Sequence, residues 1–170
     1  MNGSSSARLR SKNSTPSRGT TRFRSSAAVR QRNLQQFVAQ LRRISPEDGA
    51  RFQQVITKSD PIATIAPGLK RFSLRTDDVA DTATTYLISS WYGVRGSTQD
   101  PPQNYVNGVR AQMRSAMLAV PSFAASSDAT KQHMAESLLL QVMVNEALIT
   151  AARNKPSQMA QAKQSIKQGA

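Results

Sequence analysis

Beyond residue 28, apolar side chains recur at spacings of three and four almost to the end of the chain. Leu34, Phe37, Val38, Leu41 and Ile44 share one face of a helix from about residue 28 to 44, while Arg30, Arg32, Gln35, Gln36, Arg42 and Arg43 fall mostly on the others. Ser45-Pro46-Glu47-Asp48 then reads as an N-cap, a first-turn proline and two acids at the positive end of a helix dipole. A second helix is expected there, burying Phe52, Val55 and Ile56. Ser59-Asp60-Pro61 repeats the start signal ahead of a short helix carrying Ile62, Ile65 and Ala66, which Pro67-Gly68 should weaken or end.

Further on, Thr76 is placed to cap the amides that follow, with Asp77, Asp78 and Asp81 in the first turns. Val79, Ala83, Tyr86, Leu87 and Trp91 form a stripe running to about Val94, and Tyr86 and Trp91 are expected in the core. Gly96 supplies a stop, and Pro101-Pro102 separates this helix from the next, whose apolar positions are Val106, Val109, Met113, Ala116 and Met117. Ser127-Asp128 opens the longest segment, apolar nearly all round between Leu138 and Ile149, as a central buried helix would be. Lys155-Pro156-Ser157 breaks it before a polar last helix, Met159 to Ile166, expected to pack loosely. Alternating β-branched runs are absent, and no period of 20 to 50 residues recurs. The pattern predicts an all-α fold, a compact bundle of five to seven helices whose stripes satisfy one another and leave no organised reactive crevice.

The first 27 residues break this pattern. They are rich in Ser, Thr, Gly, Asn and Ala, a composition that buries too little apolar surface to offset chain entropy, so a disordered basic arm is expected over 1–27 and a single helical domain over 28–170. The formal charge is +13, and eight of the cations, Arg8, Arg10, Lys12, Arg18, Arg22, Arg24, Arg30 and Arg32, precede residue 33. The first acid is Glu47. Those eight side chains are the candidate contacts for nucleic acid or another anionic surface, the alternative being that the arm is only a solvated linker.

The run Leu74-Arg75-Thr76-Asp77-Asp78-Val79-Ala80-Asp81, then Tyr86 to Trp91, then Val109-Arg110-Ala111-Gln112-Met113 resembles a family of uncharacterised, mostly proteobacterial proteins known as a domain of unknown function. The resemblance continues through Ser127-Asp128-Ala129-Thr130-Lys131-Gln132 and Ala135-Glu136 to the end, covering about residues 28–170. It implies a helical domain placed after a secretion signal and a low-complexity linker, hence a periplasmic or secreted protein, although residues 1–30 contain no apolar stretch of the signal-peptide kind. It brings no catalytic or ligand residues.

Candidate chemistry is sparse. The chain has no cysteine, and no apolar run reaches the ~20 residues of a membrane span, Leu138 to Val144 being interrupted by Gln141. His133, the one histidine, lies three residues before Glu136, a spacing compatible with a metal pair but more simply an ordinary, partly exposed histidine. Asp77, Asp78 and Asp81 would serve a hard cation or acid–base work, though the glycine and terminal Glu of a calcium loop are missing and first-turn acids suit the helix dipole. Tyr86, Trp91, Tyr92 and Tyr105 resemble a base-stacking platform less than a core margin, and Asn145 with Glu146 interrupts the apolar helix as a wetter face or a polar pocket. No Gly-x-Ser-x-Gly elbow or phosphate loop occurs. The expectation is a non-enzymatic domain without catalytic, cofactor or metal residues, acting on an unidentified protein partner, with polyanion binding through the arm as the alternative.

Overall fold

A computed structural model describes residues 19–97 and 99–169, and among these the architecture is all-α. The helices are α1 (Ala27–Ile44), α2 (Pro46–Lys58), α3 (Pro61–Arg71), α4 (Val79–Gly93), α5 (Gln103–Leu118), α6 (Pro121–Ala124), α7 (Asp128–Ala152) and α8 (Pro156–Gly169). Seven have at least eleven residues, and α6 adds a single turn. Several boundaries follow the expected caps: the Ser45 hydroxyl accepts from Asp48 N at 3.2 Å and the Ser127 hydroxyl from Thr130 N at 3.1 Å. After α4, the turn closes on Gly96 at φ +68°, the left-handed conformation that glycine adopts without a Cβ penalty.

Two boundaries differ from expectation. Pro67-Gly68 does not end α3, which runs four residues past Pro67 with Ile62 and Leu69 buried on its inner face; that packing offsets the missing amide. The start of α3 follows the expected signal, with Asp60 as the cap accepting from the amides of Ile62 and Ala63 and Pro61 in the first turn. Asp78 rather than Thr76 caps α4: its carboxylate accepts from the amides of Ala80 at 3.0 Å and Asp81 at 3.4 Å. The reason lies in the segment before α1. Phe23 N donates to Asp77 O at 3.1 Å and Val79 N to Thr21 O at 2.9 Å, a β-bridge that holds Asp78 in the extended conformation an N-cap requires and satisfies an amide otherwise orphaned at the helix start.

That bridge moves the boundary expected at residue 27. Thr21 and Phe23 are buried, and Phe23 packs with Val79, Phe123 and Ala135. Gly19 lies so close to α6 that an added Cβ would stand 2.7 Å from the Ala124 Cβ. Residues 19–26 are therefore part of the packed unit, because one aromatic and two backbone bonds suffice to seat an otherwise polar segment. The expected arm over residues 1–18 lies outside the described residues.

The centre of the fold is α7 against α4. Ala80, Ala83 and Thr84 keep the buried side of α4 thin, and Ala135, Leu139 and Val142 of α7 are fully or nearly fully buried. The threonines cost nothing in unmet polarity, since Thr82 and Thr84 donate to the carbonyls of Val79 and Ala80. This displaces the expected stripe. Trp91 is 43% exposed and Tyr86 only half-buried, because rings of that size on the inner face would hold α4 away from α7. Around the pair, α1, α3 and α5 complete the main core of Leu34, Ile62, Leu69, Ile88, Val106 and Leu140, while α2 lies on α1 through an edge-to-face contact of Phe37 and Phe52 at 5.1 Å. The polar α8 is more firmly seated than expected, with Ala162 and Ile166 buried against Ile149 and Ala152. By length and mean hydropathy (1.2) alone, α7 would suffice to cross a membrane; here it is the core helix on which α1, α3, α4 and α8 pack, with Gln132, Glu136 and Asn145 buried along it.

Two ionic clasps bind the helices. Glu136 has no exposure, and its carboxylate accepts from Arg30 Nε at 2.9 Å, Gln132 Nε2 at 2.8 Å and Asn33 Nδ2 at 2.7 Å. Arg30 also donates to Asp60, the α3 cap, at 2.7 Å. One guanidinium thus joins the starts of α1 and α3 to the middle of the fold. In the second clasp, Arg110 grips Asp81 through two bonds of 2.6 and 2.8 Å and Arg114 reaches Asp78 at 2.8 Å, fastening α5 to the start of α4. Burial pushes the Asp81 carboxyl up, a tendency Arg110 opposes and the neighbouring Asp78 charge reinforces.

Removing one partner of a buried pair leaves an uncompensated charge, so Glu136→Ala is expected to lower unfolding free energy by about 3–5 kcal/mol in urea titrations. Glu47→Ala, which breaks an exposed α2 pair with Arg51, should change it by less than about 1 kcal/mol. Asp77 gives a test in pH. Its carboxyl is held below 3.8 by the Arg75 guanidinium at 2.7 Å, against the opposing effect of burial, so its contribution is present above that value and lost as pH falls through the depressed one. The stability gap between wild type and Asp77→Asn, at most about 1 kcal/mol for this partly exposed pair, should appear at pH 7 and close at strongly acid pH.

Candidate functional site

The sequence pattern predicts no organised reactive crevice; a cavity of about 510 Å³ with a largely apolar floor opens between α3, α4, Ser97, residues 99–101 and the C-terminal half of α7. It exists because α3 does not lie flush with α4. After Arg71 the chain turns through Phe72 and Ser73, the latter at φ +58°, and re-enters the core at Leu74, so that Leu69 and Leu74 face Ile88 of α4 from beneath. The floor is Leu69, Leu74, Ile88, Val106 and Ile149, all buried, with Phe72 and Tyr92 half-buried on the flanks. Asn145 is the one buried polar side chain lining it, held by a bond from Gln141 Nε2 at 3.0 Å and a longer one to Ser90 Oγ at 3.4 Å.

The rim carries the charge. Arg71 donates to Asp100 at 2.6 Å across the gap between the end of α3 and the segment preceding α5, so these two neutralise each other. Arg153 stands on the same rim. Glu146 lies one residue from Asn145, exposed to solvent yet crowded by the walls, and the partial loss of water pushes its carboxyl above 4.5. Eight of the ten acids form ion pairs, every one with an arginine; Glu146 and Asp128 are the exceptions among the described residues.

Beside the cavity lies an aromatic patch. Trp91 meets Tyr92 edge-on at 4.9 Å and Tyr105 of α5 at 6.3 Å, while the Arg95 guanidinium stacks over the indole at 3.6 Å from the ring centre. Leu87, one turn before Trp91, is 42% exposed, and Tyr105 41%. Patch and cavity are contiguous through Tyr92, which belongs to both.

The structure redistributes the residues singled out in the sequence. Of the eight candidate polyanion contacts, Arg8, Arg10, Lys12 and Arg18 lie outside the described residues. Arg30 is withdrawn from that role, being committed to Glu136 and Asp60, and Arg22 sits 3.5 Å from Asp77; Arg24 and Arg32 are exposed. His133 is exposed and is not paired with Glu136. Asn33 uses its amide nitrogen on Glu136, which leaves its oxygen to accept from His133 Nδ1 at 2.9 Å. Asp77, Asp78 and Asp81 are answered by Arg75, Arg114 and Arg110, and no group of three or more His, Asp or Glu arranged to hold a metal occurs among the described residues. Asn145 and Glu146 do line a partly polar pocket. What the sequence did not reveal is that Arg71 and Asp100, 29 residues apart, meet at its edge; the turn at Ser73 that brings them together left no signal in composition or periodicity.

No curated protein and no solved structure matches this chain. A model described as a family of unknown function, DUF6683, matches residues 1–170, and the chain belongs to that family.

Proposed function

We propose that this chain is a non-enzymatic helical domain that works through protein contacts made at the Leu87–Trp91–Arg95–Tyr105 patch. The observation that carries the reading is the exposure of Trp91, 43%, beneath a stacked arginine. Trp, Tyr and Arg dominate the energetics of protein interfaces, because each brings a large, partly apolar surface at modest entropic cost. Here Trp91 of α4, Arg95 of the turn that follows α4 and Tyr105 of α5 are grouped together. The acids that proton transfer would draw upon are mostly engaged by arginines, which supports contact over chemistry.

Photo-crosslinking from position 105 in native cells is expected to yield a discrete partner. Once purified, that partner should lose at least about thirtyfold in affinity on Trp91→Ala, a hot-spot effect, and be unaffected by His133→Ala. Only scattered adducts, or equal affinity for both variants, would overturn the reading.

Polyanion binding through the N-terminal segment is the alternative, resting on Arg8, Arg10, Lys12 and Arg18 together with the exposed Arg24 and Arg32. Six such cations, if all engage phosphates, give a slope of log affinity against log salt of roughly −5.4 on duplex DNA. Because Phe23 is packed, the informative truncation stops before Gly19. Under the leading reading, full-length and truncated chains bind DNA equally and negligibly at physiological salt.

A further inference from the structure

We propose that the cavity between α3, α4 and α7 binds an amphipathic amine, a ligand with an apolar, preferably aromatic, body and a single ammonium group. Its volume of about 510 Å³ falls within the range of small-molecule sites. The floor of Leu69, Leu74, Ile88 and Val106 has no charged side chain and repays apolar contact, and Phe72 and Tyr92 on the flanks are suited to a ring.

The rim decides the sign of the head group. Arg71 is neutralised by Asp100 at 2.6 Å, so an anion would have to break that pair before being held by it. Arg153 has an interaction of its own. Glu146 is the carboxylate there that forms no ion pair among the described residues, while eight of the chain's ten acids have an arginine. An ammonium at the rim supplies that charge while its apolar body fills the floor below. Crowding by the walls, which raises the Glu146 carboxyl above its ordinary value, strengthens the attraction for a cation once the group is ionised. This inference is independent of the Trp91 patch, and either can fail without the other.

Phenylbutylamine, phenylbutanol and phenylbutyrate share one body and differ in head group, so titration calorimetry with all three on the full chain at pH 7 isolates the charge. The amine is expected to bind about tenfold tighter than the alcohol, and the carboxylate more weakly than either. Glu146→Gln should abolish the amine's advantage and leave the alcohol within about twofold. The advantage should also fade as pH falls through the Glu146 carboxyl, above 4.5, since protonation removes its charge. Gly68, on the rim of the cavity with open space where a Cβ would stand, provides a variant compatible with the fold: Gly68→Trp should weaken all three probes by obstructing the entrance. Equal affinity for the three head groups, an amine preference that survives Glu146→Gln, or no binding of any probe at millimolar concentration would each overturn the assignment.

Discussion

A carboxylate with no solvent exposure sits at the middle of this fold, and the arrangement of the N-terminal half follows from the need to answer its charge. Glu136 of α7 would be prohibitively costly to bury alone. Its two oxygens receive three donors, two of them from α1, and the same Arg30 continues to the cap of α3. Hydrophobic burial is tolerant of direction, whereas these bonds are not. They specify which turn of α1 faces which turn of α7, and Gln132, one turn earlier, adds both a donor and an acceptor to the backbone of Ser26. The register of α1 on α7 is thus set by polar groups inside an otherwise apolar contact.

The local content of the sequence was readable because it is governed by short-range physics. Caps at Ser45 and Ser127, the break at Pro156 and the apolar breadth of α7 all depend on a few neighbouring residues. The features that were misjudged depend on residues far apart. The stripe Val79–Tyr86–Trp91 has the right period for a helix face, but period alone does not say whether a large ring is admitted; the small residues Ala80, Ala83 and Thr84 determine that, since they let α7 approach. Thr76 lost the cap to Asp78 because a segment centred on Arg22, 56 residues earlier, holds Asp78 extended. Arg30 reads as a candidate polyanion contact until its acids are located across the fold, and no neighbouring residue in the sequence announces that Arg110 and Arg114 pair with Asp81 and Asp78. In a chain so rich in arginine, the sequence does not separate a solvated cation from the second half of a buried pair.

This distinction changes the meaning of the +13 charge. The acids are few, and the fold spends arginines on eight of them, choosing the planar guanidinium over lysine in every case. A fork geometry is what a two-bond grip such as Arg110 on Asp81 requires. Among the described residues no lysine joins an ion pair, and one of them, Lys131, is buried with its ammonium 5.5 Å from the centre of the Phe123 ring.

The thinness of α4 and the open margin beside it have one origin. A helix that presents alanine and threonine inward so as to sit close to its neighbour must carry its bulk outward, which places Leu87 and Trp91 on the surface and leaves Tyr92 to cover only one flank of the gap under α3. Filling that gap from within would need a larger side chain at Thr85 or Ser89, both of which line it. The chain has small hydroxyl residues there, so the void and the exposed ring are two sides of the same choice: close contact of α4 with α7 is obtained by turning aromatic volume toward whatever lies outside.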